Sequence, residues 1–249
     1  MTSVTMIPAE ALRWLAGQER TSILLMGAAD NYAPRLTRTG HSVTVVDPDV
    51  GRLKSLRNHY FGVHVVAADG QALPFDPECF SIVLSIQNFH SFSGDKALTE
   101  WARVLKADGS LGLAYVTRDD SVPWVKRLKR LVQATLPEAM TGDREVESVA
   151  ALEASSCFPN VESTSFRLWV PCTREQLQAS AANATGSAEL SPEDRAALMD
   201  AIGQLYDEYA RTPDPLMLPY CIRCWRAGVD RTKLIEALRR GDEGLSISL

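Results

Sequence analysis

The alternation of short apolar runs with amphipathic segments through the first half of the chain constrains the fold most. Runs of apolar and β-branched residues predict five strands, at Ile23–Met26, Ser42–Val46, Val63–Ala67, Phe80–Ile86 and Ser110–Thr117. Segments with helical spacing predict four helices, at Ala9–Ala16, Tyr32–Thr37, Asp49–Arg57 and Lys96–Leu105. Asp108 and Gly109 form the predicted turn into the fifth strand. Because the apolar runs are continuous, as in parallel strands covered on both faces, we predict an α/β fold of βαβ units.

The second half of the chain is less regular, but its elements also have recognisable patterns. Two further strands are predicted at Val161–Val170 and Leu218–Arg226. Thr173, followed three residues later by Gln176, has the capping-box pattern of a helix start. Ser191 before Pro192 places a capping residue ahead of a proline at the first helical position. A last short helix is predicted at Val229–Arg240.

No internal repeat, low-complexity tract or linker composition divides the chain, so we interpret it as one domain. Within it we expect a cofactor-binding half over residues 1–120 and a substrate-side half over 121–227. The substrate-side half carries a helical insertion at 173–211, and residues 228–249 form a C-terminal helix and tail.

Composition and charge exclude several classes of partner. The chain has 249 residues, 45% of them apolar, and a formal net charge of −5, which argues against a nucleic-acid-binding protein. The basic run from Lys126 to Arg130 alternates with apolar residues at helical spacing, so we interpret it as a solvated helix face. The first residues are amphipathic, and no apolar stretch has the length of a membrane span. We therefore expect a cytoplasmic protein that binds neither membranes nor nucleic acids.

The cysteines indicate neither a disulfide framework nor a metal site. Their number, five, is odd, and they are scattered along the chain. Cys221 and Cys224 have CxxC spacing, but they fall within the predicted strand Leu218–Arg226. Residues three apart on a strand point to opposite faces, so these two thiols are not expected to share a metal ion.

A glycine turn and an acidic residue suggest where a nucleotide binds. Gly27 follows the first predicted strand, and Asp47 ends the second strand twenty residues later. A carboxylate at this distance from a glycine turn is the arrangement that binds ribose hydroxyls in dinucleotide-binding folds. A tight turn followed by an unrelated surface aspartate explains the same pattern equally well.

Several longer motifs, in a fixed order, resemble those of one enzyme family. ADGQALPFDPECFSIVLSIQNFHSF is followed by LTEWARVLKADGSLGLAYVTRDDSVPWV, and later by WVPCTREQLQA and LPYCIRCWRA. This order is similar to that of the type 11 group of class I S-adenosylmethionine (SAM)-dependent methyltransferases. The resemblance extends from about Leu24 to Ala227.

The resemblance implies a Rossmann-like, seven-stranded sheet that is mostly parallel, with an antiparallel last strand and helices on both faces. It also implies SAM as the cofactor. Gly27 would open the loop that approaches the methionine part of SAM, and Ala29 would lie within that loop. This chain departs from the family there, because Ala29 and Asn31 stand where relatives have glycine.

The same resemblance assigns roles to acidic and polar residues that follow the later strands. Asp47 would hold the ribose hydroxyls, and Asp69 would accept a hydrogen bond from the adenine amino group. Gly70 lies beside Asp69, and Gln87 ends the fourth strand, where this fold places the sulfonium and its methyl group.

The acceptor side offers three further candidates. Methyl transfer is a direct displacement, so a base is needed only where the acceptor must lose a proton. His90, just beyond the fourth strand, is the candidate catalytic residue, although a histidine that only shapes the pocket wall fits as well. Arg118 and Trp124 follow the fifth strand and are candidates for binding an acidic or aromatic acceptor. Arg118 could instead pair with its neighbour Asp119.

These observations lead to a SAM-dependent methyltransferase that acts on a small-molecule acceptor. The altered glycine loop leaves an alternative, a degenerate member of the family that acts without catalysis as a binding or regulatory subunit. A short-chain dehydrogenase fits poorly, because the chain has no Tyr-x-x-x-Lys pair and an incomplete dinucleotide loop. The sequence does not fix the oligomeric state, and a homodimer is compatible with it.

Overall fold

The computed structural model describes residues 7–27, 32–92, 94–140, 143–184, 186–211 and 214–243. The strands are β1 Ser22–Met26, β2 Ser42–Val46, β3 Val63–Val66, β4 Phe80–Ile86, β5 Leu105–Arg118, β6 Glu162–Cys172 and β7 Leu216–Gly228. The helices are α1 Ala9–Ala16, α2 Ala33–Arg38, α3 Val50–His59, α4 Asp95–Val104, α5 Pro123–Thr135, α6 Asp143–Ala154, α7 Arg174–Ala182, α8 Pro192–Tyr209 and α9 Arg231–Glu243. Short 3-10 helices lie at Phe89–Ser91 and Ser187–Glu189.

The seven strands form one sheet in the order β3-β2-β1-β4-β5-β7-β6. The pairs β1–β2, β1–β4, β2–β3 and β4–β5 are parallel. Met26, at the end of β1, lies opposite Val46 of β2 on one side and Ser85 of β4 on the other. The predicted fold class, a mostly parallel seven-stranded sheet with an antiparallel strand and flanking helices, is confirmed. The carboxyl ends of β1, β2 and β4 therefore meet at one edge.

The chain divides into two compact units. Among the described residues, the larger unit comprises those within 7–115, 144–165 and 223–243, and the smaller unit comprises those within 116–143 and 166–222. The first boundary, between residues 115 and 116, lies close to the expected end of the cofactor-binding half at residue 120. The interpretation as one domain stays a prediction.

The core of the larger unit explains why the sequence has uninterrupted apolar strands. Leu24, Val83 and Leu111, from three neighbouring strands, are fully buried. Trp101 on α4 is fully buried against them and contacts the Phe89 ring at a centroid distance of 5.5 Å. Burial of such side chains contributes about 1.5–3 kcal/mol each. This core fixes the strand ends from which the polar residues of the site extend.

The smaller unit is built around helices whose starts agree with the sequence patterns. The capping box of Thr173 and Gln176 is present at α7, and the Ser191 hydroxyl accepts the Asp194 N–H at the start of α8. The basic run lies on α5, where Arg127 pairs with exposed Glu208 at 2.6 Å. The interpretation of that run as a solvated face is confirmed.

Two details of the fold differ from the predictions. The expected turn at Asp108-Gly109 lies inside β5, whose register against β4 jumps from Leu105 to Ser110. Residues 106–109 form a bulge there, so β5 begins before the predicted turn instead of after it. Helix α6 had no clear sequence signal, because its apolar residues are divided between environments, with Val146 67% exposed and Leu152 fully buried.

Cys221 and Cys224 both lie on β7, as predicted. Among the helices that the structure describes, none is both long enough and apolar enough to cross a membrane.

Candidate functional site

Gly27 directly follows β1, at the edge of the sheet where β1, β2 and β4 end. It has φ +74°, a left-handed conformation that favours glycine, and its N–H donates to the Val46 carbonyl at 2.8 Å. A Cβ atom built there would lie 1.7 Å from Nδ2 of Asn88. Two separate constraints therefore require glycine at this position. The predicted cofactor residue Ala29 lies outside the described residues.

Asp47 is buried at the end of β2, with 2% of its surface exposed. Its Oδ1 accepts the Asp49 N–H at 2.7 Å, and its Oδ2 lies 3.5 Å from the exposed guanidinium of Arg52. This burial excludes the alternative of an unrelated surface aspartate. A buried carboxylate costs free energy unless it is compensated, and here the Asp49 N–H and the Arg52 guanidinium compensate it. The role of Asp47 in binding the cofactor stays a prediction.

Asp69 and Gly70 follow β3 and are held in place by two contacts. Oδ1 of Asp69 accepts the Gln71 N–H at 2.9 Å, and the Gly70 carbonyl accepts the indole N–H of Trp101 at 2.9 Å. A Cβ atom on Gly70 would lie 2.5 Å from the ring of Phe92. Glycine therefore allows that aromatic ring to lie directly against the backbone.

These residues surround a cavity of about 240 Å³ within the larger unit. Its lining consists of Asp47, Pro48, Arg52, Asp69, Gly70, Gln71, Asn88, Ser91 and Phe92. Three of the residues predicted to bind the cofactor, namely Asp47, Asp69 and Gly70, are thus brought together. Gly27 lies against Asn88, which lines the cavity.

Sequence reasoning gave no role to Arg52, Asn88, Ser91 or Phe92. The signal that could have found the last three is their position directly after β4, since polar groups at the carboxyl end of a parallel strand commonly contact ligands. Arg52 could have been found from its place in the first turn of the helix that follows Asp47.

Gln87 is in the left-handed region, with φ +62°, and its N–H donates to the Ala114 carbonyl at 2.8 Å. A non-glycine residue in this conformation costs about 1–2 kcal/mol. Such strain is concentrated at functional sites, where the surrounding structure enforces it. The position of Gln87 at the end of β4 is as predicted, and its contact with the cofactor stays a prediction.

His90 lies in the 3-10 helix after β4 and is anchored through its backbone. Its N–H donates to the Tyr115 hydroxyl at 3.0 Å, and that hydroxyl donates to Oγ of Ser148 at 2.9 Å. Burial raises the pKa of Tyr115, so the phenol stays protonated and able to donate. Glu145 lies near this group and pairs with Arg223 at 2.7 Å, yet burial raises its pKa above the ordinary value. The role of His90 as a base stays a prediction.

Arg118 and Trp124 belong to the smaller unit. Arg118 donates to Oγ of Ser180 at 2.9 Å, and its Nε has no hydrogen-bond partner. It does not pair with Asp119, which accepts instead from Ser121 at 2.5 Å and forms an ion pair with Arg167 at 3.2 Å. Among the described residues, no carboxylate pairs with Arg118.

Trp124 is 7% exposed and belongs to the apolar core of the smaller unit. Its ring lies 6.4 Å from that of Tyr209 between centroids. This packing gives Trp124 a structural function, and its predicted contact with an acceptor stays a prediction.

Comparisons with known proteins agree with this geometry. Residues 25–113 match the methyltransferase domain family. A relative in Schizosaccharomyces pombe, an uncharacterized methyltransferase-like protein, is 36% identical over 118 residues, which are 46% of each chain. An uncharacterized methyltransferase of Mycobacterium tuberculosis is 31% identical over 144 residues, covering 54% of this chain and 59% of its own. The chain thus spans about half the length of the curated relatives it matches.

Among solved structures, a protein of Anaeromyxobacter dehalogenans, provisionally assigned as a type II methyltransferase, shares the fold. It is 18% identical, with a TM-score of 0.64 over 89% of this chain and 95% of its own. Residues 25–113 are therefore similar to a methyltransferase domain, and the chain shares its fold with that solved structure.

Proposed function

We propose that this protein transfers a methyl group from SAM to a small-molecule acceptor. The observation that carries the proposal is the cavity in which Asp47 and Asp69, the two acids expected to bind adenosine, lie together. Both carboxylates follow strands that end at the same edge of the sheet, as ligand-binding residues of open parallel sheets do.

The residues of the cavity fit an adenosine. Asp47 would accept hydrogen bonds from ribose hydroxyls, and Asp69 would accept one from the adenine amino group. The Phe92 ring supplies an apolar surface against which a base can pack. Gly27 allows the backbone to approach the methionine portion closely.

The bound cofactor would supply an electrophilic methyl group on a sulfonium. The protein's contribution is to align the acceptor with that methyl group and exclude water, so precise positioning accounts for most of the expected rate enhancement. His90 would take a proton from an acceptor hydroxyl or ammonium at a ring nitrogen. Tyr115 would position His90 by fixing the backbone that carries it.

Arg118 favours an acceptor that carries an acidic group. Its guanidinium is half-buried, has no carboxylate partner among the described residues and leaves Nε without a partner. Arginine binds carboxylates and phosphates through paired hydrogen bonds, which makes an acceptor with such a group the natural choice.

A non-catalytic binding protein is the second candidate. The observation that favours it is the replacement of two loop glycines by Ala29 and Asn31. A left-handed conformation at an alanine costs about 1–2 kcal/mol, which would weaken SAM binding if the loop kept the family's path.

Incubation of the protein with SAM that carries a labelled methyl group, together with a small-molecule extract, tests the proposal. Label is expected to move from SAM into one or more small molecules, and Asp47→Asn should transfer far less at subsaturating SAM. If S-adenosylhomocysteine binds but no label leaves SAM in any extract, the protein is the non-catalytic relative. If neither ligand binds, methyl transfer from SAM is excluded and the non-catalytic relative is the remaining candidate.

A further inference from the structure

A second and larger cavity, of about 420 Å³, lies at the opposite edge of the larger unit. Gly17 and Gln18 precede β1 and His41 precedes β2, so the cavity lies where these strands begin. Its lining consists of Ala9, Leu12, Arg13, Ala16, Gly17, Gln18, Arg35, Leu36, Arg38, Thr39 and His41. None of these residues lines the cavity around Asp47 and Asp69, which is called the cofactor cavity below.

The charges around this cavity are all positive. Arg13, Arg35 and Arg38 line it, and no acidic residue is among its lining. Arg35 donates to the Ile7 carbonyl at 2.6 Å, whereas the guanidinium of Arg13 has no hydrogen-bond or ion-pair partner among the described residues. Burial lowers the pKa of Arg35, and the nearby charge of Arg38 lowers it further. The lining thus brings three like charges together, and no carboxylate among the described residues pairs with them.

The remaining wall of the cavity is apolar apart from one histidine. Leu12, Ala16 and Leu36 are buried side chains that line it. His41 is 5% exposed, and its Nδ1 has no hydrogen-bond partner. Burial lowers the pKa of His41, which keeps the imidazole neutral and able to donate or accept one hydrogen bond. An unsatisfied buried polar atom beside a cavity is a place where a ligand contributes binding free energy.

We propose that this cavity is a second ligand site, which binds a small organic acid with a single carboxylate on a short hydrocarbon body. The carboxylate lies among the arginines at the mouth, where it accepts charge-assisted hydrogen bonds from their guanidinium groups. The hydrocarbon body packs on the leucine and alanine side chains, where it loses its contact with water. The cavity volume falls within the range of sites for small molecules, about 300–1,000 Å³.

Octanoate is the probe for this site, with 1-octanol and acetate as matched controls. Octanol has the same chain without the charge, and acetate has the charge without the chain. Calorimetric titration is expected to show octanoate binding at least about tenfold tighter than either control, because both parts of the site contribute. Equal affinity for octanoate and octanol would overturn the proposal, since the arginines would then play no part.

Variants of the exposed arginines identify the cavity as the place of binding. Arg13→Gln and Arg38→Gln are each expected to weaken octanoate binding by about fivefold or more, because each removes a charged hydrogen-bond donor. Arg57→Gln, on the exposed face of α3, removes the same charge outside the cavity and should leave binding unchanged. An equal loss of octanoate affinity in Arg57→Gln would show that binding does not depend on the arginines of the cavity, and would overturn the proposal.

Competition with S-adenosylhomocysteine separates the two cavities. Octanoate is expected to bind equally well when the cofactor cavity is saturated. Displacement of octanoate by S-adenosylhomocysteine would place it in the cofactor cavity and overturn the proposal. This outcome does not depend on methyl transfer. The octanoate site can therefore be disproved while the proposed function holds, and methyl transfer can be disproved while the octanoate site holds.

Discussion

At the scale of the residue, Gly27 couples backbone conformation to the cavity around Asp47 and Asp69. Its positive φ alone disfavours any other residue, and a Cβ atom would also displace Asn88, which lines the cavity. Gly17 provides a comparison, because it has nearly the same φ, +71°, with nothing within 4 Å of its Cβ position. Substitutions at these two glycines therefore separate the free-energy cost of the left-handed backbone conformation from the cost of steric contact with Asn88.

Gly27→Ala is therefore expected to destabilise the protein more than Gly17→Ala. Both substitutions incur about 1–2 kcal/mol for the left-handed conformation, and only the first must also move Asn88. Urea denaturation measures the free energies of unfolding, and calorimetry measures affinity for S-adenosylhomocysteine, which should fall only in Gly27→Ala. Equal losses of stability and unchanged affinity in both variants would show that Asn88 moves away at no cost.

At the scale of the element, β5 controls the short helix that carries His90. The Tyr115 hydroxyl, near the end of β5, accepts a hydrogen bond from the His90 N–H and donates one to Oγ of Ser148. The Tyr115 phenol thus holds that 3-10 helix together with the packing of Phe89 against Trp101.

Tyr115→Phe should cost about 1–3 kcal/mol of stability, because it leaves a backbone N–H without its partner. If Tyr115 positions His90, turnover of an acceptor should fall more than affinity for SAM. Thermal unfolding and separate measurements of kcat and SAM affinity check this. Tyr60→Phe, at an exposed tyrosine, is the control and should leave stability, kcat and SAM affinity unchanged. A loss of stability alone, with kcat retained, would make Tyr115 purely structural.

Helix α4 holds the segment after β3 through a partly buried carboxylate. Glu100 accepts the Leu73 N–H at 2.7 Å and pairs with Arg103 at 2.7 Å. Burial raises the pKa of Glu100, but the hydrogen bonds from Arg103 and from the Leu73 backbone outweigh it, so the pKa lies below the ordinary 4.5. The folded protein therefore binds the Glu100 proton less tightly than the unfolded chain does.

The stability lost in Glu100→Gln should consequently depend on pH. The contribution of ionised Glu100 is complete above the unfolded pKa of 4.5 and is lost as the pH falls through the lower folded value. At pH 7 we expect a loss of about 1–3 kcal/mol, which shrinks towards zero in acid. Urea denaturation across pH measures it, with Glu153→Gln as an exposed control. A difference that is constant with pH would mean that the charge of Glu100 is unimportant.

At the scale of the whole molecule, the sequence predicts the sheet well because its strands are buried on both faces. The bounds of β2 and β4 were predicted without error, since their apolar runs end sharply at polar residues. The bulge at residues 106–109 could not be predicted, because it depends on the register of β5 against β4. Helix α6 was missed because contacts, not periodicity, decide which of its residues are buried.

The candidate site was predictable only where a strand end carries a distinctive residue. Asp47 and Asp69 were found because each follows a strand, and the structure places both at one cavity. Arg52 and Phe92 were not found, since their contribution depends on tertiary packing that brings an α3 side chain and the segment after β4 together. The burial of Asp47 was likewise invisible, because the sequence does not show what covers it.

The central claim is that the cavity of Asp47 and Asp69 binds the cofactor. Calorimetric titration of S-adenosylhomocysteine into the wild type and Asp47→Asn tests it most directly, with Asp200→Asn on the exposed face of α8 as a control for lost charge. The account predicts binding by the wild type, a loss of about tenfold or more in Asp47→Asn, because a ribose carboxylate contributes about 1–3 kcal/mol, and no change in Asp200→Asn. Absence of binding by the wild type at millimolar ligand, or equal affinity in Asp47→Asn, would contradict it.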